Sequence, residues 1–224
     1  MAGTRVNTRK CARCGLINFA DCVECRRCAA VLGDGGGSPP GAGAAAAARW
    51  PRLLVLPATI VALLIVCRVS LLMTSDALDN GQRDAVVRAI AVLEDHHFSR
   101  EVVVLRHLTS FRATDNWWNR FVGHGQAYAA TNFPFEVVTL YPRFFDIAVD
   151  DNERAVILLH EARHLFGRSE EAALEDVWRA KVRLGWNAHA YGHTRVWKNT
   201  REWTQGSLPH LFTCGADGRS DCLD

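Results

Sequence analysis

The chain has 224 residues, enough for one ordinary domain with appendages, and 49% of them are hydrophobic, so a sizeable core is available. A formal net charge of +2 argues against a dedicated nucleic-acid binder, and no nucleic acid is expected as a partner. The charge is uneven: residues 1–52 carry eight Lys/Arg against three Asp/Glu, whereas residues 53–224 carry eighteen against twenty-one.

Residues 1–32 form a cysteine-rich module. Five of the eight cysteines of the chain lie here, as Cys11-x2-Cys14 and Cys22-x2-Cys25-x2-Cys28. Two close cysteine pairs around a short knuckle set four thiolates tetrahedrally about a structural Zn2+ ion. The ligand set is read as Cys11, Cys14, Cys22 and Cys25, with Cys28 as the alternative to one of the last pair. Iron–sulfur ligation is compatible with the spacing but not selected by it. Residues 33–52, rich in Gly, Pro and Ala, form a flexible linker.

Residues 53–73, LLVLPATIVALLIVCRVSLLM, hold one charge in twenty-one positions. As a helix they cover roughly 30 Å, the thickness of a bilayer core, and predict a single transmembrane helix in contact with lipid. Arg68, near the distal end, is expected to snorkel toward headgroups. Pro57 lies in the first turn or so, where it costs least. Arg49 and Arg52 flank the near side and TSDALDN the far side. The positive-inside bias therefore places the N-terminus in the cytoplasm and residues 74–224 outside, where Cys214 and Cys222 can oxidise into a small loop.

The exported residues predict an α+β domain with few strands. A helix is expected over 84–96, a strand in EVVVLRHLTSF, a long aromatic loop in TDNWWNRFVGHGQAYAATNFP, and a second strand in FEVVTLYPRFF. Pro142 suits that second strand to a sheet edge, where an extended peptide substrate can pair with it. DDNERAVILLHEARHLF predicts the central helix, opened by Asp150 and Glu153 as a capping box and closed by Gly167. Ser169 caps the next helix, and the last forty residues give no clear element.

The central helix carries His160-Glu161-Ala162-Arg163-His164. Residues four apart on a helix share a face, so both imidazoles can reach one metal ion, with Glu161 beside them to take a proton from water activated by that ion. HEARH resembles the active helix of the zincin metallopeptidases, whose HExxH motif it matches over a short stretch around the two histidines. The resemblance implies that His160 and His164 bind zinc and that Glu161 is the catalytic base. It leaves two placements for a third ligand. A gluzincin-like arrangement takes Glu171 from the next helix, with Glu175 orienting a histidine; a metzincin-like arrangement keeps Gly167 and takes Glu170. Glu171 is preferred because Glu175 would support it. Arg163 departs from the usual uncharged spacer. Tyr191, His189 and His193 are candidate electrophiles for an oxyanion.

The resulting expectation is a membrane-anchored zinc-dependent metallopeptidase. Its zincin-like domain spans 74–224, it acts on a peptide or protein substrate, and its cysteine module docks a cytoplasmic partner. The alternative is a non-enzymatic membrane-anchored metal-binding protein for interaction or signalling.

Overall fold

The computed structural model describes residues 8–32, 50–123 and 127–223, so most of the linker and His124 lie outside the described residues. The chain divides into two compact units, one up to Thr59 and one from Ile60.

In the first unit β1 (Thr8–Lys10) pairs antiparallel with β2 (Ile17–Phe19), Arg9 opposite Asn18. Its buried apolar residues are Cys11, Cys25 and Leu32. So small a core offsets little of the entropy of ordering the chain, and an ion bound by the cysteines would supply the difference.

Helix α1 (Trp50–Met73) includes the whole 53–73 segment and Pro57. From Val55 to Met73 its mean hydropathy is 2.4, and it is long and apolar enough to cross a membrane. Arg68 departs from expectation. Its guanidinium donates to the Phe135 carbonyl and to Ser110 Oγ (3.0 Å) and lies 3.4 Å from Glu136, so it is held by protein groups instead of reaching for headgroups.

The second unit is dominated by helix. Helix α2 (Asn80–Asp95) starts four residues before the expected bound, because Asp79 and Gln82 form a capping box there. Of residues 101–111, expected as a strand, the first seven belong instead to helix α3 (Ser99–His107). Its valines favour a strand locally, but Glu101, Val102 and Leu105 fall on one helical face that packs against neighbouring helices, and that burial outweighs β-propensity. Only Ser110–Arg112 is extended, as β3.

The aromatic segment expected as a loop contains helix α4 (Trp117–Val122), capped by Asn116, and strand β4 (Ala129–Asn132). Strand β5 (Val137–Leu140) appears where FEVVTLYPRFF predicts it, but at the centre of the sheet. It runs parallel to β3 and antiparallel to β4, and all four residues are buried. Pro142 is therefore no edge marker. It opens the short helix α5 (Pro142–Asp146), where a missing N–H costs nothing. The strands at the edges are β3 and β4.

The central helix α6 (Asp151–Leu165) is capped by Asp150 as expected, its Oδ1 accepting from Glu153 N at 2.9 Å. The Glu153 carboxylate completes no reciprocal box. It accepts instead from Val149 N (3.0 Å) and from the Thr194 hydroxyl (2.5 Å). Thr194 in turn caps helix α9 (Arg195–Ser207), so one buried carboxylate ties the starts of two helices. Between them lie α7 (Glu170–Ala180), capped by Ser169, and α8 (Ala188–Tyr191). A 3-10 turn, Pro209–Phe212, then leads into the loop closed by the Cys214–Cys222 disulfide.

Buried Trp178, on α7, meets Trp186, Trp197 and Phe212 at ring-centroid distances of 5.1–6.2 Å, and Trp186 meets Trp197 at 4.6 Å. These rings fasten α7 to α9. Replacing Trp178 with alanine is expected to cost about 3–5 kcal/mol through the cavity it leaves. Urea unfolding of the detergent-solubilised chain, followed by circular dichroism, measures that loss.

Candidate metal centres

His160 and His164 stand one turn apart on α6, and their Nε2 atoms lie 3.1 Å from each other. The helix ends in a Schellman turn. Gly167 (φ 72°) donates to the His164 carbonyl at 2.8 Å, and Arg168 N donates to the Arg163 carbonyl at 3.0 Å. That reversal brings the first residue of α7 back over the imidazoles. Glu170 Oε1 lies 3.3 Å from His160 Nε2, and Oε2 lies 3.1 Å from His164 Nε2.

Donors bound to a tetrahedral ion at ~2.0–2.1 Å are separated by ~3.3–3.4 Å. The two imidazole nitrogens are 3.1 Å apart and each faces a different Glu170 oxygen at 3.1–3.3 Å, close to this spacing, and a donor set of two imidazoles and a carboxylate suits zinc, so the residues fit the ion that the motif implies. These three residues could therefore hold a metal ion. Burial disfavours the His164 cation, yet the Glu170 and Glu161 carboxylates and the Arg168 carbonyl outweigh it and raise its pKa to about 9. The same histidines hold Glu170 well below the usual carboxylate range. The triangle thus demands positive charge, which a metal ion satisfies in place of a proton.

The carboxylate that converges with the two imidazoles is that of Glu170; Glu171, equally exposed, lies outside the group. Successive residues on a helix turn by about 100°, so only one of the pair can face the imidazoles, and the Gly167 turn selects the first. Glu175 does not orient a histidine; it binds Arg179 at 2.8 Å. The group that orients His164 is the Arg168 carbonyl, 3.0 Å from Nδ1. A carbonyl only accepts, so Nδ1 carries the proton, and in the neutral ring Nε2 keeps its lone pair for a metal. No side-chain pattern could have signalled a main-chain acceptor.

Glu161 is 5% exposed and accepts from Thr131 Oγ1 at 2.7 Å. Thr131 lies on the edge strand β4, in a stretch that reads as loop, and so sequence reasoning missed it. A cleft of about 530 Å³ runs along this strand, lined by Tyr128, Ala130, Thr131, His160, Glu161, His164 and Glu170, with Thr200 and Trp203 from α9. Arg163 faces away from it. Its guanidinium donates to Glu101 Oε1 at 2.6 Å and lies 3.4 Å from Asp176, near enough for charge attraction without a directed bond. The charged spacer is therefore a brace between α3, α6 and α7. Tyr191 is no part of the cleft: it donates to Asp150 at 2.8 Å, at the opposite end of α6. His189 and His193 are exposed and also lie outside it.

In the first unit the cysteines that converge are Cys11, Cys14, Cys25 and Cys28. Cys11 and Cys28 sulfurs are 3.6 Å apart, and Cys14 and Cys25 sulfurs 3.4 Å, near the ~3.8 Å expected of thiolates about one zinc ion. Cys22 is outside the group, and the backbone explains why. Cys11–Leu16 and Cys25–Ala30 make the same knuckle, each closed by two matching main-chain bonds and a left-handed residue after the second cysteine, Gly15 (φ 76°) and Ala29 (φ 54°). Cys22 precedes the second knuckle. The Arg27 N–H beside Cys25 pulls that thiol down to about 6, favouring the thiolate.

Comparison with known protein families, curated proteins and solved structures finds no match. The described residues combine one helix long and apolar enough to cross a bilayer with two clusters that could each coordinate a metal ion. These are the features of a membrane-anchored metal-binding protein.

The ligand assignment has a direct test in metal content by mass spectrometry. Cys28→Ser and Glu170→Ala are each expected to remove one zinc equivalent from the full chain, whereas Cys22→Ser and Glu171→Ala leave the content unchanged. The opposite pattern in either pair reverses the assignment for that cluster.

Proposed function

We propose that the chain is a membrane-anchored zinc-dependent metallopeptidase of the zincin type. The observation that carries this reading is the convergence of His160, His164 and Glu170 beside an open cleft whose wall includes Glu161. A zinc ion bound there supplies Lewis acidity and lowers the pKa of a water molecule. The donor group, among the described residues, has three members, which leaves a tetrahedral position for water or substrate, as catalytic sites require.

The protein's own residues do the rest. His164 is held in register by the Arg168 carbonyl, so its Nε2 points into the triangle. Glu161 takes the proton at its carboxylate and returns it to the leaving amine, and Thr131 fixes its orientation by donating to Oε2. The edge of β4 offers main-chain groups to an extended peptide along the cleft. The domain division stays as read from the sequence: a cysteine module over 1–32, a linker over 33–52, the span over 53–73 and the zincin-like domain over 74–224. The basic flank before the span supports a cytoplasmic N-terminus and an extracytoplasmic cleft.

A second reading asks less of the chain: a non-enzymatic membrane-anchored protein whose ions are structural and whose surfaces bind partners. The first unit favours it, because Ile17, Phe19, Val23 and Val31 are all exposed around the cysteine cluster and suit a protein partner.

Glu161→Gln separates the two. With the zinc ligands untouched, the variant is expected to keep its zinc and lose peptide-library cleavage by about 10²–10⁴-fold, the share of a general base. Equal cleavage by variant and wild type, or no zinc-dependent cleavage by either, ends the peptidase reading in favour of the second.

A further inference from the structure

Helix α4 presents an apolar face that the described residues leave exposed. Its inner side is polar and buried, with Asn116 and Asn119 turned inward. Outward it shows Trp118 (47% exposed), Phe121 (82%) and Val122 (53%) side by side, with Trp117 also exposed. Trp118 stacks edge-on against Trp117 and meets Phe121 at 6.3 Å. In water this inversion of the usual pattern is unfavourable.

The position of α4 says what covers it. Trp117 Nε1 donates to Ser70 Oγ at 3.0 Å, its backbone N donates to Thr74 Oγ1 at 3.2 Å, and Arg120 donates to the Thr74 carbonyl at 3.3 Å. Ser70 lies within the last turn of α1, three residues before its end at Met73. At 1.5 Å per residue the Trp117 indole is level with a point about 5 Å inside the end of the apolar span. A helix clamped at that height faces the boundary between acyl chains and headgroups, where Trp side chains are most favourable because the ring is apolar and its N–H is wet. Met73, 80% exposed at the end of the span, continues the same apolar surface.

We infer that α4 lies in the membrane interface as an aromatic anchor, holding the second unit against the bilayer in addition to the span itself. Its occupant is lipid at the headgroup–acyl boundary, because the patch is continuous with the transmembrane helix. The inference does not depend on peptidase activity.

Brominated-lipid quenching of the full chain in nanodiscs tests it. Phosphatidylcholine carries bromine either near the top of the acyl chain or near the bilayer midplane. The emission of Trp118 is isolated as wild type minus Trp118→Phe, which keeps an aromatic ring in place. Loss of that emission with shallow bromines and not with deep ones is the expected result. Phe121→Trp in the Trp118→Phe background is expected to add emission that is quenched in the same way. Emission indifferent to bromine at both depths, from both positions, overturns the proposal and assigns the face to a second copy or another protein. Quenching by the deep bromines alone overturns it too.

Discussion

A single left-handed residue sets where the third donor falls. Helix α6 puts two imidazoles on one face by its own periodicity, but two donors do not make a metal site. At Gly167 the chain turns back through the left-handed region, which a residue with a side chain enters at a cost of about 1–2 kcal/mol. The turn has three consequences at once. It caps the carbonyls of α6, it presents the Arg168 carbonyl to His164 Nδ1, and it starts α7 with Glu170 over both Nε2 atoms. The braces that hold the two helices in this relation are likewise made by residues of the motif region: Arg163 reaches Glu101 and Asp176, and Trp178 packs into the aromatic cluster behind α7.

The metal clusters differ in what an ion would do for the fold. Among its described residues the first unit has three buried apolar residues in its core, two of them cysteines of the cluster itself. An ion bound there would be the core. The second unit surrounds its triangle with a continuous core running from Leu78 to Phe212, and that core does not pass through the metal donors. A domain that folds on its own hydrophobic burial can leave a cation site partly open to a cleft, because no folding free energy depends on closing it. Openness of the site and independence of the fold from the ion are two sides of one arrangement.

Much of this was legible in the sequence, and the misses have physical causes. The span, the central helix with its Asp150 cap, the Gly167 stop and the Ser169 cap all follow from local chemistry that the surroundings do not override. The strand expected over EVVVLRHLTSF gave way over its first seven residues because Glu101, Val102 and Leu105 pack as one face of a helix, a tertiary fact that composition does not carry. Trp117–Val122 was read as loop since six residues are too few for a periodic signal, and its apolar face points outward. Glu170 converges where Glu171 is expected, and Cys28 where Cys22 is expected, for a shared reason. Spacing says which residues are near a site, whereas the turn between them decides which atoms point into it. Both turns contain a left-handed residue, at Gly167 and at Ala29, and only the glycine announces itself in the sequence.

The edge strand β4 and helix α4 are mechanically one piece. Asn116 Nδ2 donates to Asn132 Oδ1 at 2.7 Å, Asn132 Nδ2 to Asn119 Oδ1 at 2.8 Å, and Asn119 Nδ2 to Thr139 Oγ1 at 2.9 Å, all of them buried. A buried amide network whose members satisfy one another is rigid, because any displacement leaves a polar group unpaired at a cost of about 1–3 kcal/mol. The network joins α4 to β4 and to the central strand β5. Arg112 strengthens the link by donating from β3 to the Leu72 carbonyl at the end of the span (2.7 Å), as does Arg68 from the span to the Phe135 carbonyl. The strand that carries Thr131, and through it Glu161, therefore cannot move relative to the last turns of α1 without breaking several of these bonds. With the span in a bilayer, bonded contacts within the domain would set the height of the cleft, and a peptide lying on β4 would be held at that height.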